Sequence, residues 1–347
     1  MEIFWFIALT FMLLMYVILD GFDLGAGVIH LFAARENSER RDILRAIGPV
    51  WDGNEVWLIA AGGVLYFAFP MLYASSFSGF YLPLMIVLWL LMLRGIGIEF
   101  RGHIQNPLWR SFWDGVFSCA SILLTIFLGA ALGNVVRGVP LNAEGYFFEP
   151  LWTTFTVTPQ AGILDWFTVL FGLVALFTLT AHGANYVALK TTGEVQRRSR
   201  HTAGLATWFV IATSVLALTA TSEIRPSVWD NYFHHPWGFI FPFLGLAGVS
   251  GMVFFRARNR DLPAFLSSAA FILGMGSATA FGLFPNVLPA STGPHLSLTV
   301  YNTAAGEHGL RVGIVWWSIG MALAAGYFVY LFQSFKGKVE PGIGEGT

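Results

Sequence analysis

The stretch Ile47–Trp57, IGPVWDGNEVW, sets two carboxylates, Asp52 and Glu55, against Val56–Leu93, a run without Asp, Glu, Lys or Arg. Acids beside so long an apolar run are costly, and they persist where they move a proton, bind a cation or meet water at a helix end. Other ionisable groups flank such runs: Asp20 and Asp23 in the first, Arg94 and Glu99 just past Leu93. The i, i+3 spacing of Asp52 and Glu55 puts both on one helical face. At about 100° per residue, Asp20, Asp23 and His30 fall within roughly 80° of one another, and Tyr16 lies on the same side. Carboxylates, histidines and waters that alternate as donor and acceptor form a proton relay, because partial burial brings both protonation states within reach. Arg94 would tune one of these acids or hold it ionised. The competing reading makes them helix-end groups paired with loop arginines. Spacing alone leaves both open, with Asp23 and Glu55 nearer the second.

The elements that must carry these groups are membrane helices. Hydrophobic residues make up 56% of the chain and charged residues 11%, with a mean hydropathy of +0.65. A soluble domain of this length carries about 25% charged residues. The net charge of −1 gives no attraction to nucleic acid. Cys119 is the only cysteine, which excludes an intrachain disulfide and a thiolate metal site, and it is expected in core packing. A crossing helix needs about 20 mostly apolar residues. The uncharged runs predict a single integral membrane domain over 1–347 with nine spans, at about 3–32, 52–73, 77–98, 113–136, 164–189, 202–222, 237–256, 262–284 and 311–335. The first reads as a retained span rather than a signal peptide. Val56–Leu93 is too long for one helix, and Pro70 with Ser75, Ser76, Ser78 and Gly79 predicts a hairpin there.

Charge orients the spans. Sixteen of the nineteen basic residues fall on alternate connections and the C-terminal tail, leaving Arg137, Arg225 and Arg311 on the other side. Cytoplasmic loops are the basic ones, so the N-terminus is expected outside and the C-terminus in the cytoplasm. Asp20 then lies about 24 Å along its helix from residue 4, in the cytoplasmic half. Asp52 and Glu55 open the second span from that side, and Arg94 and Glu99 close the third. The longer outer segments, Arg137–Asp165 and Phe284–Arg311, are expected as ordered surface loops. Gly21, Gly25 and Gly27 predict close helix packing. His182 is expected to hydrogen-bond across helices. The adjacent His234 and His235 point apart, and no HxxxH, ExxH or CxxC pattern appears.

Motifs along the whole length carry a family resemblance. They are DGFDLGAG at Asp20–Gly27, IGPVWDGNEVW at Ile47–Trp57, SGFYLPL at Ser78–Leu84 and RGIGIEFRG at Arg94–Gly102. WRSFWD at Trp109–Asp114, FPNVLPAST at Phe284–Thr292, SLT at Ser297–Thr299 and Tyr301–Asn302 follow in order. Together they resemble subunit II of the cytochrome bd-type terminal quinol oxidases. The resemblance implies an all-α polytopic fold of two four-helix bundles plus one peripheral helix. It implies a heterodimer with a haem-bearing subunit I, which holds two b-type haems, one haem d and the quinol site. Small single-span accessory subunits and membrane lipids are further partners it allows. This chain would then hold no haem, no metal and no catalytic residue. Its role would be to support assembly of subunit I and proton uptake from the cytoplasm as quinol is oxidised and O2 is reduced to water. The setting would be a bacterial or archaeal cytoplasmic (inner) membrane. Asp52 matches the aspartate of the family's WDGN, and Asp20 and Asp23 those of DGFD. Glu99 stands where some members carry Asp, with a longer reach. The proton-path candidates are Asp20, Asp23, Asp52, Glu55, Arg94 and Glu99. Asp52 ranks first and Glu55 reads as a helix-start group. A purely structural scaffold remains open beside this reading, as does a stand-alone secondary transporter. Broken mid-membrane helices and an internal repeat would mark a transporter, and neither is seen.

Overall fold

Long apolar runs fold as helices because a helix satisfies its own backbone polar groups where water is absent. A computed structural model describes residues 1–339, and among them twelve α-helices and one two-stranded ladder form. The helices are α1 Glu2–Ala33, α2 Asn37–Ile47, α3 Trp51–Ala68, α4 Pro70–Gly79, α5 Tyr81–Phe100 and α6 Pro107–Arg137, then α7 Trp166–Lys190, α8 Gly193–Ile224, α9 Asp230–His234, α10 Ile240–Ala257, α11 Asp261–Leu283 and α12 Glu307–Ser334. Eight are long and apolar enough to cross a membrane: α1, α5, α6, α7, α8, α10 (counted from Pro236), α11 and α12. The protein is therefore all-α and built for a membrane. The 18-residue α3 falls outside those eight and carries both Asp52 and Glu55.

Helix ends follow local chemistry. Asn106 caps α6, its side chain accepting from Leu108 N and Trp109 N, with Pro107 in the first turn. Asp165 and Thr168 exchange side-chain bonds with each other's backbone at the start of α7. Of the residues that predict a hairpin, Ser75, Ser76, Ser78 and Gly79 are helical in α4, and Pro70 opens that helix. The helical run is interrupted on either side of them, at Phe69 (φ −134°, ψ 64°) and at Phe80 (φ −93°, ψ 24°). The reason is Pro70: it lacks a donor the first turn does not need, so it starts a helix rather than ending one. Cys119 is also corrected. It is exposed on α6, not in the core. An apolar surrounding such as lipid places no penalty on a small hydrophobe pointing outward.

Helices α1, α3, α5 and α6 pack together, as do α7, α8, α10 and α11, and α1, α6, α7 and α11 join the two groups. Glycine allows the tightest junction: a Cβ on Gly25 would sit 1.9 Å from the Leu179 carbonyl oxygen, and one on Gly183 2.3 Å from the Gly25 carbonyl carbon. Gly27 meets Ser121 in the same way. Apart from these groups, α12 leans on α1 and α3 through Trp317 on Met12, Phe328 on Trp57, and Gly313 on Phe67 and Trp5.

At the end of the bundle opposite α2, the segments 138–165 and 284–306 knit into one cap. Val139 bridges Ala290, and the strands β1 Asn286–Leu288 and β2 Leu298–Thr299 pair antiparallel. The Ser291 hydroxyl donates to Pro159 O, and that of Thr292 to Leu141 O.

Candidate functional site

Three helices bring the first candidates together. Arg94, on α5, is completely buried and long enough to reach α1 and α3 at once. Its Nη1 donates to Asp20 Oδ1 at 2.7 Å and its Nη2 to Glu55 Oε2 at 3.0 Å. Asp20 is also fully buried, whereas the Glu55 side chain keeps 23% of its surface open. The site therefore runs from a half-open carboxylate through a guanidinium to a dry carboxylate. Arginine suits this fork because its planar donors diverge in fixed directions.

One turn on from Asp20, Asp23 is buried and accepts from Asn54 Nδ2 at 2.7 Å. The same amide reaches Leu19 O at 3.3 Å. Arg94 thus bonds one dry and one half-open carboxylate, with a third, dry carboxylate, Asp23, one turn from Asp20.

Asp52 and Glu99 stand apart from this group. Both are exposed, and neither carboxylate bonds to the other candidates. Glu99 contributes only its backbone carbonyl, 3.0 Å from His103 Nδ1. The sequence ranks Asp52 above Glu55, but it is Glu55 that joins the buried arginine. Asn54 went unnoticed because a neutral amide carries no charge signal. It sits between the two acids of the motif.

Three further polar clusters hold the ends and centre of the bundle. Asp114, on α6, is met by His30 Nε2 at 2.6 Å, Arg101 Nε at 2.5 Å and Arg40 Nη1 at 3.1 Å. It ties α1, α2, α5 and α6 at one end. At the other end, buried Arg137 donates to Asp165, to Glu149 at 2.7 Å and to Asn134 at 2.7 Å. Burial is the main force on Glu149; it raises this loop carboxyl to about 7, against the pull of Arg137. In the centre, His182 uses both ring nitrogens, with Ser268 Oγ at 2.7 Å and Ile18 O at 2.8 Å. The carbonyl can only accept, so Nε2 carries the hydrogen; the Ser268 hydroxyl facing Nδ1 also donates to Phe265 O at 2.6 Å.

Both ring nitrogens of His182 are engaged, whereas His30 holds Asp114 through Nε2 and its Nδ1 has no partner among the described residues. A cavity of about 730 Å3 between α7 and α8 is lined by Phe155, Trp166, Leu170, Leu173, Leu216 and neighbours, without histidine, methionine or cysteine. Among the described residues no group of three metal-ligating side chains occurs.

A family model described as cytochrome bd terminal oxidase subunit II matches residues 1–335. The chain belongs to that family. A probable cytochrome oxidase subunit 2 of Haemophilus influenzae is 31% identical over 362 residues, covering 97% of this chain and 94% of that protein. Cytochrome bd-I ubiquinol oxidase subunit 2 of Escherichia coli K12 is 30% identical, covering 89% of this chain and 87% of that protein. Cytochrome bd ubiquinol oxidase subunit 2 of Bacillus subtilis is 31% identical, with 89% and 88% covered. A chain in the structure of bd oxidase from Geobacillus thermodenitrificans superposes with a TM-score of 0.77 at 19% identity, over 96% of this chain and 98% of that one. That likeness establishes the shared fold. In this subunit II, the DGFD segment meets WDGN through Asp23 and Asn54.

Proposed function

We propose that this chain is the haem-free subunit II of a bd-type quinol:oxygen oxidoreductase, and that it supports assembly of a haem-bearing subunit I and admits protons from the cytoplasm. The haems and the quinol site belong to subunit I in this reading, in a bacterial inner membrane. The ninth span is α3 continued by α4, which gives nine crossings with the N-terminus outside and the C-terminus cytoplasmic. Accessory subunits and lipids complete the assembly.

One observation carries the proton reading: Arg94 links half-open Glu55 to dry Asp20 by two short hydrogen bonds. Exposed Asp52, one turn before Glu55, collects protons at the mouth. Glu55 takes a proton from water on its open side. When Glu55 passes that proton inward, its restored charge draws Arg94 back, the guanidinium's hold on Asp20 weakens, and Asp20 accepts the proton. Asp23, one turn on, adds negative charge that favours this inward step. Glu99 lies at the cytoplasmic rim, outside the chain of bonds, as a surface collector. The partner is expected against α3 and α12, since none of the best apolar window of α12 is buried within this chain. Such an exposed apolar face marks an interaction surface.

The scaffold reading also has a specific observation behind it. Asp114, buried among His30, Arg40 and Arg101, is pure cross-bracing. The two readings part at Glu55, whose side chain is partly open. In the intact complex, Glu55→Gln should lower oxygen consumption with haem content unchanged. Unchanged turnover would leave only the scaffold.

A further inference from the structure

Six buried polar atoms around the fork have no hydrogen-bond partner among the described residues: Tyr16 Oη, Asp20 Oδ2, Asp23 Oδ1, Asn54 Oδ1, Trp57 Nε1 and Arg94 Nε. Orphans of this kind are rare in folded proteins because each carries a desolvation penalty. These six are among fifteen such atoms in the described residues, and all six lie on the three helices that form the fork. Their register explains why. Asn54 of α3 meets Leu19 and Asp23 of α1. Three residues further along α3 is Trp57, and three residues back from Leu19 on α1 is Tyr16. Each step covers about 4.5 Å along its helix. Tyr16 and Trp57 are therefore level, deeper in the bundle than the fork, and both are buried. Tyr16 also lies beside Asp20, at the edge of hydrogen-bond reach, and within electrostatic reach of Arg94 and Glu55.

The donor inventory separates the roles. Trp57 Nε1 and Arg94 Nε can only donate, whereas the carboxylate oxygens and the Asn54 carbonyl can only accept. Only a molecule that does both can serve this mixture, and a buried water makes about three such bonds. Among the six, the Tyr16 phenol alone both donates and accepts.

We infer that ordered waters fill the space between these atoms, and that Tyr16 is the inner relay which carries protons from Asp20 toward the middle of the membrane. The inference rests on the proton-uptake reading and extends it by one named hydroxyl. In the transfer step, protonated Asp20 gives its proton to the bridging water, that water gives one of its own to the phenol oxygen, and the phenol's proton leaves to a second water on the inner side. Each O–H bond that breaks is matched by one that forms, the phenol and the bridging water are regenerated, and no electron moves. Trp57 and Arg94 position the waters and take no part in the transfer.

The test uses the intact, purified oxidase complex with two substitutions, Tyr16→Phe and Glu55→Gln, assayed for haem content and for oxygen consumption in H2O and D2O. The phenylalanine keeps the ring's packing and removes only the hydroxyl. Turnover in Tyr16→Phe should fall roughly two- to tenfold, the worth of one hydrogen bond, with haem content unchanged and a larger solvent isotope effect. If Glu55→Gln slows the complex and Tyr16→Phe does not, the Tyr16 inference is overturned while the uptake path stands. If neither slows it, both fall. Should Tyr16→Phe lose haem, the native complex decides by a high-resolution map. Water bridging Tyr16 Oη and Asp20 Oδ2 upholds the inference, and a dry contact overturns it.

Discussion

Arg94 Nη1 lies 2.7 Å from Asp20, and its Nη2 lies 3.0 Å from Glu55. One buried cation therefore bridges a carboxylate that water can touch and one that it cannot. Lysine cannot make both bonds from one point charge. Arg94→Lys should assemble with haem but turn over more slowly, because only one carboxylate remains engaged. Arg94→Leu strands a buried carboxylate at a cost of about 3–5 kcal/mol and should lower the yield of assembled complex. Haem absorbance per protein in the purified complex separates the two outcomes.

The exposed and half-buried acids should differ in weight. Asp52 is surrounded by water that can substitute for it, whereas Glu55 is the open end of a fixed chain of bonds. Asp52→Asn should lower oxygen consumption, but by less than Glu55→Gln, for which about a tenfold loss corresponds to 1.4 kcal/mol. Steady-state rates at equal haem content compare them directly. A greater loss from Asp52→Asn would move the mouth of the path away from Glu55.

The outer cap should respond to pH through Glu149. Burial holds its folded-state value up at about 7, from an ordinary 4.5. The folded cap thus binds more protons than the open one between those values. Its attachment is strongest below 4.5, weakens as pH rises toward 7, and is flat above. The full span corresponds to about 3 kcal/mol. Arg137 bonds both Glu149 and Asp165, Asp165 repels Glu149 across it, and Arg225 approaches Arg137 O at 3.5 Å. Proteolysis of 142–165 in the native complex should be faster at pH 8 than at pH 5.5 after correction for protease activity. Glu149→Gln should abolish that difference, and its persistence would assign the effect to another group.

Close packing of α1 on α7 should tolerate no added methyl. A Cβ at Gly25 meets backbone at 1.9 Å, whereas one at Gly115 on α6 meets nothing within 4 Å. Overpacking typically costs about 1–3 kcal/mol, and more where backbone must move. Gly25→Ala should lower the melting temperature or the yield of the complex, and Gly115→Ala should leave both unchanged. Equal behaviour of the two would mean that the α1–α7 junction yields.

Much of this was legible in the sequence because a membrane restricts the menu. Uncharged runs gave the helices, and the period of 3.6 put Tyr16, Asp20 and Asp23 on one side of α1. What spacing could not supply was pairing between distant helices. Arg94 and Asp20 are 74 residues apart, and nothing local says that α5 sends its arginine to α1. Asp114 was seen only as part of WRSFWD, and its bonds to His30, Arg40 and Arg101 depend on how four helices converge. Glu149 lay in a segment without period, so its burial had no signal at all. Pro70 was rightly marked as a discontinuity, but proline at a first turn starts a helix as readily as it stops one. That moved the bend to Phe69.

The central claim is that protons enter through Glu55 to Asp20, and proton uptake itself is the most direct readout. The reduced complex, mixed with oxygen in weak buffer with a pH indicator, should take up protons from the cytoplasmic side in step with haem oxidation. In Glu55→Gln the uptake should lag behind haem oxidation while haem content stays whole. Uptake in that variant as fast as in the native complex would contradict the account.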